Sequence, residues 1–216
     1  MTAQKEWQFD RKEQRRLKID LLLKVAAECF NSKGFSGTSL KDVARKLNIT
    51  DAALYYYVKN KEELVNLCYM RAINLGEAAL DRAVAEGKDP LDKIQLYVRY
   101  QIEDICGKQG PVAILSEIPA LKPKHRDQIL KKARAFNKRF TALIEEGVKD
   151  GSIRATNPIA TSDAILGAVN WIPKWYKPNS GLNQEEITSS FIELFVMGLS
   201  RQSTLTPPDA PELRHP

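Results

Sequence analysis

Apolar residues recur at three- and four-residue spacing along nearly the whole chain, and no stretch alternates apolar with polar long enough to predict a strand. The pattern predicts an all-α fold. A first helix is expected from about Arg11 to Ser32, with Leu17, Leu21, Val25 and Phe30 on its buried stripe and Gly34 stopping it. Thr38 or Ser39 then caps a short helix ending near Leu47, Asn48 and Ile49 turn the chain, and Thr50 or Asp51 caps a second short helix through Tyr57. Asn60 with Glu63 has the capping-box spacing that opens a long helix to about Glu86.

Beyond that point the predicted helices lengthen. Asp89-Pro90 starts one that reaches Cys106, where Gly107, Gly110 and Pro111 break it. A segment from Val112 is interrupted by Pro119 and Pro123, and a long helix follows from about Lys124 to Lys149, closed by Asp150-Gly151. Asn157-Pro158 opens another helix to about Trp175 with a kink at Pro173, and Asn183 with Glu186 opens the last one, to about Leu199. The proline-rich tail after Arg201 is expected to be disordered. The expected division is 1–70, a three-helix helix-turn-helix domain; 71–200, a helical ligand-binding and dimerisation domain; and 201–216, a tail.

Composition narrows the class of protein more than its function. With 43% hydrophobic and 28% charged residues, the chain is ordinary for a globular protein. No apolar run is long enough to span a bilayer, and the charged N-terminus lacks a signal-peptide core, so no membrane partner and a cytoplasmic location are expected. Cys29, Cys68 and Cys106 are odd in number and set among apolar residues, which reads as core packing. The net charge is +6, and up to Met70 there are 13 Lys/Arg against 9 Asp/Glu. A basic front suits a polyanion, although a solvated surface gives the same count.

The stretch Gly34 to Val65 decides more. It has the pattern of a helix-turn-helix: Leu40, Val43, Ala44 and Leu47 inward, a turn, and a second helix fixed by Ile49 and Leu54. That second helix presents Thr50, Asp51, Ala52, Tyr55 and Tyr56 at its N-terminal end, where a helix in the major groove reaches base edges. Three consecutive tyrosines cannot all face one core, because neighbours on a helix lie about 100° apart.

At this stretch the sequence resembles the TetR family of one-component regulators, through Gly34-Phe35, Thr38-Ser39, Asp42-Val43-Ala44, Leu47, Ile49, Leu54-Tyr55-Tyr56-Tyr57, Lys61 and Glu63-Leu64. Two departures stand out. Asn48 replaces the usual glycine, which is tolerable because Asn also accepts the left-handed conformation, and Tyr57-Val58 replaces His-Phe. The resemblance implies a homodimer bound to double-stranded operator DNA. It implies DNA contacts from Ser39, Lys41, Tyr55, Tyr56, Tyr57 and Lys61, which with Thr38, Thr50, Asp51 and Ala52 make up the candidate DNA-binding residues. Arg11, Lys12, Arg15 and Arg16 form either a basic arm on flanking DNA or a solvated helix face.

Small residues Ala160, Ala164, Gly167, Ala168, Ser190 and Gly198, with the stripe Ile187, Phe191, Leu194 and Phe195, mark the last two helices. In the resembling family these pair as a four-helix dimer interface. The aromatic run Asn170 to Pro178 looks like that of TetR members sensing acyl-CoA thioesters, which implies a long-chain or polycyclic acyl-CoA effector. Tyr97, Tyr100, Phe136, Phe140, Asn170, Trp171, Lys174 and Trp175 are the candidate ligand residues. Trp171 and Trp175 either line an acyl tunnel or close the dimer core.

No cofactor, metal or catalysis is expected, since the histidines are only His125 and His215 and no phosphate loop, nucleophile elbow or Cys/His spacing occurs. The alternatives are a regulator of the same family sensing another hydrophobic molecule and a nucleoid-type protein without sequence preference.

Overall fold

The structure, a computed structural model, describes residues 3–107, 110, 112–113, 121–178 and 181–200, with side chains from residue 11 on. Among the described residues there are eight helices and no strand. They are α1 (Ala3–Lys33), α2 (Leu40–Lys46), α3 (Asp51–Tyr55), α4 (Lys61–Glu86), α5 (Pro90–Cys106), α6 (Pro123–Asp150), α7 (Pro158–Trp175) and α8 (Gln184–Leu199). The expected tail and the Pro119 interruption lie outside the described residues.

Local chemistry sets the helix ends. The Asn183 side chain accepts from the Glu186 backbone N–H at 2.9 Å while the Glu186 carboxylate accepts from Asn183 N–H at 2.8 Å, a complete capping box. At α4 the box is displaced by one residue: Asn60 accepts from Glu63 N–H, but the Glu63 carboxylate reaches back to Lys59 N–H. Asp89 and Asn157 cap α5 and α7, each followed by proline at the first helical position, where no N–H is needed. Gly34 and Gly151 end α1 and α6 at φ 72° and 82°. Asn48, at φ 55°, is the only described non-glycine residue with positive φ, as its place in the turn requires.

Two apolar clusters follow. The N-terminal one joins α1, α2, α3 and the first half of α4, and also takes in Ala113, Leu121 and Ile129. The second is built around α5, which packs against α4, α6, α7 and α8. Helix α4 runs unbroken past residue 70, so the two clusters share a rigid helix rather than a linker.

The stripe expected on α1 is corrected. Leu17 and Leu21 are 58% and 55% exposed, whereas Leu22, Leu23, Ala26, Ala27 and Cys29 are buried. Three ties locate the covered part of α1: Arg71 to Asp20, the Cys68 thiol to the Leu23 carbonyl, and Thr38 to the Cys29 carbonyl. Ala26 and Ala27 let the neighbouring helices approach closely there. Val25 and Phe30 are half-buried against the same cluster. Cys29 and Cys68 are buried free thiols, and burial pushes Cys68 up to about 12, leaving it unreactive.

Candidate DNA interface and effector cavity

The helix-turn-helix is held by Val43, Ala44 and Leu54, all fully buried, with Val58 plugging the end of α3. Leu40 and Leu47 are half-buried, and Ile49 is 36% exposed. Ser39 caps α2 in a box with Asp42, and the Thr50 side chain caps α3 by accepting from Ala53 N–H at 3.2 Å. Helix α3 is shorter than expected, ending at Tyr55. Thr50, Asp51, Ala52, Tyr55 and Tyr56 all point outward, the two tyrosines being 56% and 72% exposed. Tyr57 is half-buried and meets Tyr56 edge-on, with ring centres 5.2 Å apart.

Two expected DNA residues sit differently. Thr38 is buried, and its hydroxyl serves the Gly34 carbonyl at 2.8 Å and the Cys29 carbonyl at 3.1 Å, so it braces the end of α1 instead of facing DNA. Ser39 is exposed, but its hydroxyl donates to Asp42 at 2.6 Å within the cap. Those bonds, first from the Ser39 hydroxyl and then from its N–H, hold the Asp42 carboxyl below the usual range. Lys41 is exposed, and the Lys61 ammonium rests 4.1 Å over the Phe35 ring.

The basic residues of α1 take a definite place. Arg11, Lys12, Arg15 and Lys18 surround a shallow cleft of about 410 Å³ together with Tyr56 and Tyr57. Arg16 lies apart, paired with Glu13 at 2.5 Å. Lys18 was not singled out in the sequence, yet it sits one helical turn from Arg15 on the same face.

Residues 22–68 match the family described as bacterial regulatory proteins, tetR family, and residues 87–199 match the tetracyclin repressor-like C-terminal domain, more than half of the chain. The chain belongs to the TetR family. It is therefore a DNA-binding transcriptional regulator and not an enzyme. The HTH-type transcriptional repressor KstR2 of Mycolicibacterium smegmatis is 23% identical over 190 residues, covering 84% of this chain and 90% of that one. KstR2 of Rhodococcus jostii is 25% identical over 182 residues, covering 83% and 89%. Among solved structures, AibR in complex with isovaleryl coenzyme A and operator DNA superposes with a TM-score of 0.67 at 25% identity, covering 82% of this chain and 96% of that one. The ketosteroid regulator KstR2 of Mycobacterium tuberculosis gives 0.73 at 20% identity, covering 86% and 96%, a likeness of fold.

The C-terminal part holds a small cavity. A cavity of about 100 Å³ lies between Ala72, Ile73 and Gly76 of α4, Tyr97 and Gln101 of α5, Ala133, Phe136 and Asn137 of α6, and Asn170 of α7, closed by Val112 and Ala113. Of the expected ligand residues it gathers Tyr97, Phe136 and Asn170. Phe140 is fully buried behind them, its ring centre 4.8 Å from that of Tyr97. Burial pushes the Tyr97 phenol far up, keeping it neutral.

The other candidates lie elsewhere. Tyr100 donates its hydroxyl to Glu86 and carries the Arg82 guanidinium 3.8 Å over its ring, which turns it away from the cavity. Trp171 and Trp175 are 51% and 41% exposed on the outer face of α7 and line neither this cavity nor the one beside Lys174. Lys174 borders a second, open cavity of about 610 Å³ with Lys46, Lys177, Cys106 and the end of α1, and its ammonium donates to the Asn31 carbonyl at 2.9 Å.

Sequence reasoning missed the rest of the cavity wall, including Gln101, Gly76 and Asn137. The signal was there for two of them. Gln101 is a polar residue on an otherwise apolar stripe with Ile94, Tyr97 and Ile105, and Gly76 is a glycine inside a helix. Among the described residues no cluster of His, Cys, Asp or Glu has the makings of a metal site, and no helix is long and apolar enough to cross a membrane.

Proposed function

We propose that this chain is a repressor that binds a two-fold operator as a homodimer and leaves it when a hydrophobic effector of the acyl-CoA class enters the α4–α5–α6 cavity. Residues 1–70 read DNA and 71–200 sense the effector and pair the protomers. Thr50, Asp51, Ala52, Tyr55 and Tyr56 meet base edges and phosphates, with Lys41, Lys61 and the Arg11, Lys12, Arg15 and Lys18 cluster on the backbone. The outer faces of α7 and α8 form the dimer contact. Leu194 is 69% exposed there, Trp171 stands out from α7, and a Cβ on Gly167 or Gly198 would meet nothing within 4 Å.

One observation carries the effector reading: α4 both lines the cavity, at Gly76, and begins at Lys61, whose ammonium rests over Phe35 between α1 and α2 of the helix-turn-helix domain. Fifteen residues of helix separate the two, a rigid lever of about 22 Å at about 1.5 Å per residue. A cavity of about 100 Å³ is smaller than the roughly 150 Å³ that admits benzene. A larger acyl group therefore enters only by spreading the helices, and it binds best to a state whose recognition helices no longer match the groove spacing. Each buried CH₂ contributes about 0.8 kcal/mol to that shift.

The second cavity suits the coenzyme head. Asn31, on its wall, donates to the carbonyl of Val112, which lines the first cavity, at 2.8 Å, so the two are neighbours. Lys174 and Lys177 supply ammonium groups for phosphate. AibR, similar in fold, is described in complex with isovaleryl coenzyme A and operator DNA, which supports a coenzyme A thioester as ligand, while release from the operator rests on the α4 lever.

Titrating free CoA and acyl-CoAs of increasing chain length against a labelled operator complex tests this. Release that sets in with chain length, and none with free CoA, is expected. A flat response at every length would remove the acyl-CoA assignment and leave the regulator assignment intact.

A further inference from the structure

Gln101 sits in α5 and is 2% exposed, and its side-chain oxygen Oε1 has no hydrogen-bond partner among the described residues. It belongs to the cavity wall. A Cβ placed on Gly76 would lie 3.9 Å from this oxygen and 3.7 Å from the Phe136 ring, so bare glycine backbone and an aromatic edge leave open space in front of it. Among the described residues no charged side chain lines the cavity. A buried carboxamide without a partner lowers stability relative to an apolar side chain of the same shape, which is an arrangement retained where a ligand completes it.

We propose that Gln101 is the specificity-determining residue of the effector cavity, reading a hydroxyl carried on the uncharged, otherwise hydrophobic part of the ligand. A hydroxyl donates to Oε1 and also offers lone pairs, so it serves a carboxamide turned either way. With no charged side chain among the described lining residues, a hydroxyl suits this depth better than a carboxylate or ammonium, which those residues would leave unpaired. Sites built to bond a substrate hydroxyl reject the analogue lacking it far more strongly than sites that only count methylenes. The inference rests on the reading of this cavity as the effector site.

The test uses the full chain on its operator. Hexanoyl-CoA is compared with its 3-, 4-, 5- and 6-hydroxy derivatives as releasing agents. Cyclohexane is compared with cyclohexanol by thermal shift, without CoA. One hydroxy derivative is expected to release DNA at about tenfold lower concentration than hexanoyl-CoA. Gln101→Met should level the two while keeping operator affinity and a melting temperature no lower than wild type. If every hydroxy derivative only equals the parent, as when an ordered water already satisfies Oε1, the proposal is overturned. It is equally overturned if Gln101→Met melts early like a core truncation. If no CoA thioester acts but cyclohexanol raises the melting temperature above cyclohexane in wild type and not in Gln101→Met, the acyl-CoA reading falls and the role of Gln101 stands. Equal shifts from both probes in wild type would overturn that role as well.

Discussion

The Glu62 carboxylate accepts the backbone N–H of Lys122 at 2.9 Å, joining the first turn of α4 to the start of α6. His125 adds a contact to the same carboxylate oxygen at 3.1 Å. Glu62 is thus next to Lys61 in the first turn of α4, and bonded to a helix whose Phe136 and Asn137 line the cavity. Burial works to raise the Glu62 carboxyl, but the Lys122 N–H and the His125 ring outweigh it and hold it below the usual range. A carboxyl depressed in the folded state adds stability above its unfolded value, and that stability disappears as pH falls through the folded one. Wild type should therefore melt above Glu62→Gln at neutral pH, and the gap should close on acidification through the low carboxylate range. Parallel melts that keep a constant gap down to pH ~3 would show that the charge of Glu62 contributes nothing.

Tyr55, the last residue of α3, and Tyr56, its C-cap, are exposed, whereas Leu54 on the same helix is completely buried. Tyr55→Ala and Tyr56→Ala should keep stability within about 0.5 kcal/mol while weakening operator binding by about 1–3 kcal/mol each. Leu54→Ala should lose about 2–5 kcal/mol of stability. Denaturant melts beside operator titrations separate the two classes, and equal losses of stability in all three variants would make the tyrosines packing residues.

Gly76 lies inside α4, and a Cβ there would make only ordinary contacts, at 3.7 Å or more. Packing does not demand the glycine. Gly76→Ala should stabilise the protein by up to about 1 kcal/mol, because Ala is the better helix former. The added methyl takes space from the cavity, so higher effector concentrations should be needed for release. A variant that is stabilised but releases as readily as wild type would place the effector elsewhere.

Leu194 and Trp171 stand out on the faces of α8 and α7 that α5 does not cover. Leu194→Glu should convert the dimer to monomer and abolish tight operator binding, read by sedimentation and by DNA titration. Trp171→Ala should weaken pairing more than effector response. A Leu194→Glu protein that stays dimeric would move the interface to another face.

What the sequence revealed was chiefly local. Asn183 with Glu186, Asp89-Pro90, Asn157-Pro158, Gly34 and Gly151 set helix ends through groups a few residues apart, and those ends fall where the pattern predicts. The buried face of α1 was not legible from spacing, since apolar residues occur on several of its faces and the covering helices choose among them. Thr38 matched the family pattern, but its hydroxyl is committed to two carbonyls, a fact visible only once α1 and α2 meet. Aromatic density around Pro173 looks the same for a tunnel and for an outer face, so Trp171 and Trp175 were open to both readings. A cavity is an absence of atoms brought about by four helices together, so the polar residue at 101 and the helical glycine at 76, both visible in the sequence, could be placed on its wall only from the fold.

The most direct test of the account is selection of binding sites from random duplex DNA, followed by titration of the chosen site against unrelated sequence at several salt concentrations. The account predicts an inverted repeat with half-site centres about 34–36 Å apart, two protomers per site, and an affinity ratio over non-specific DNA of at least about 10³. Selection that yields no common sequence, with equal affinity for every duplex, would contradict it.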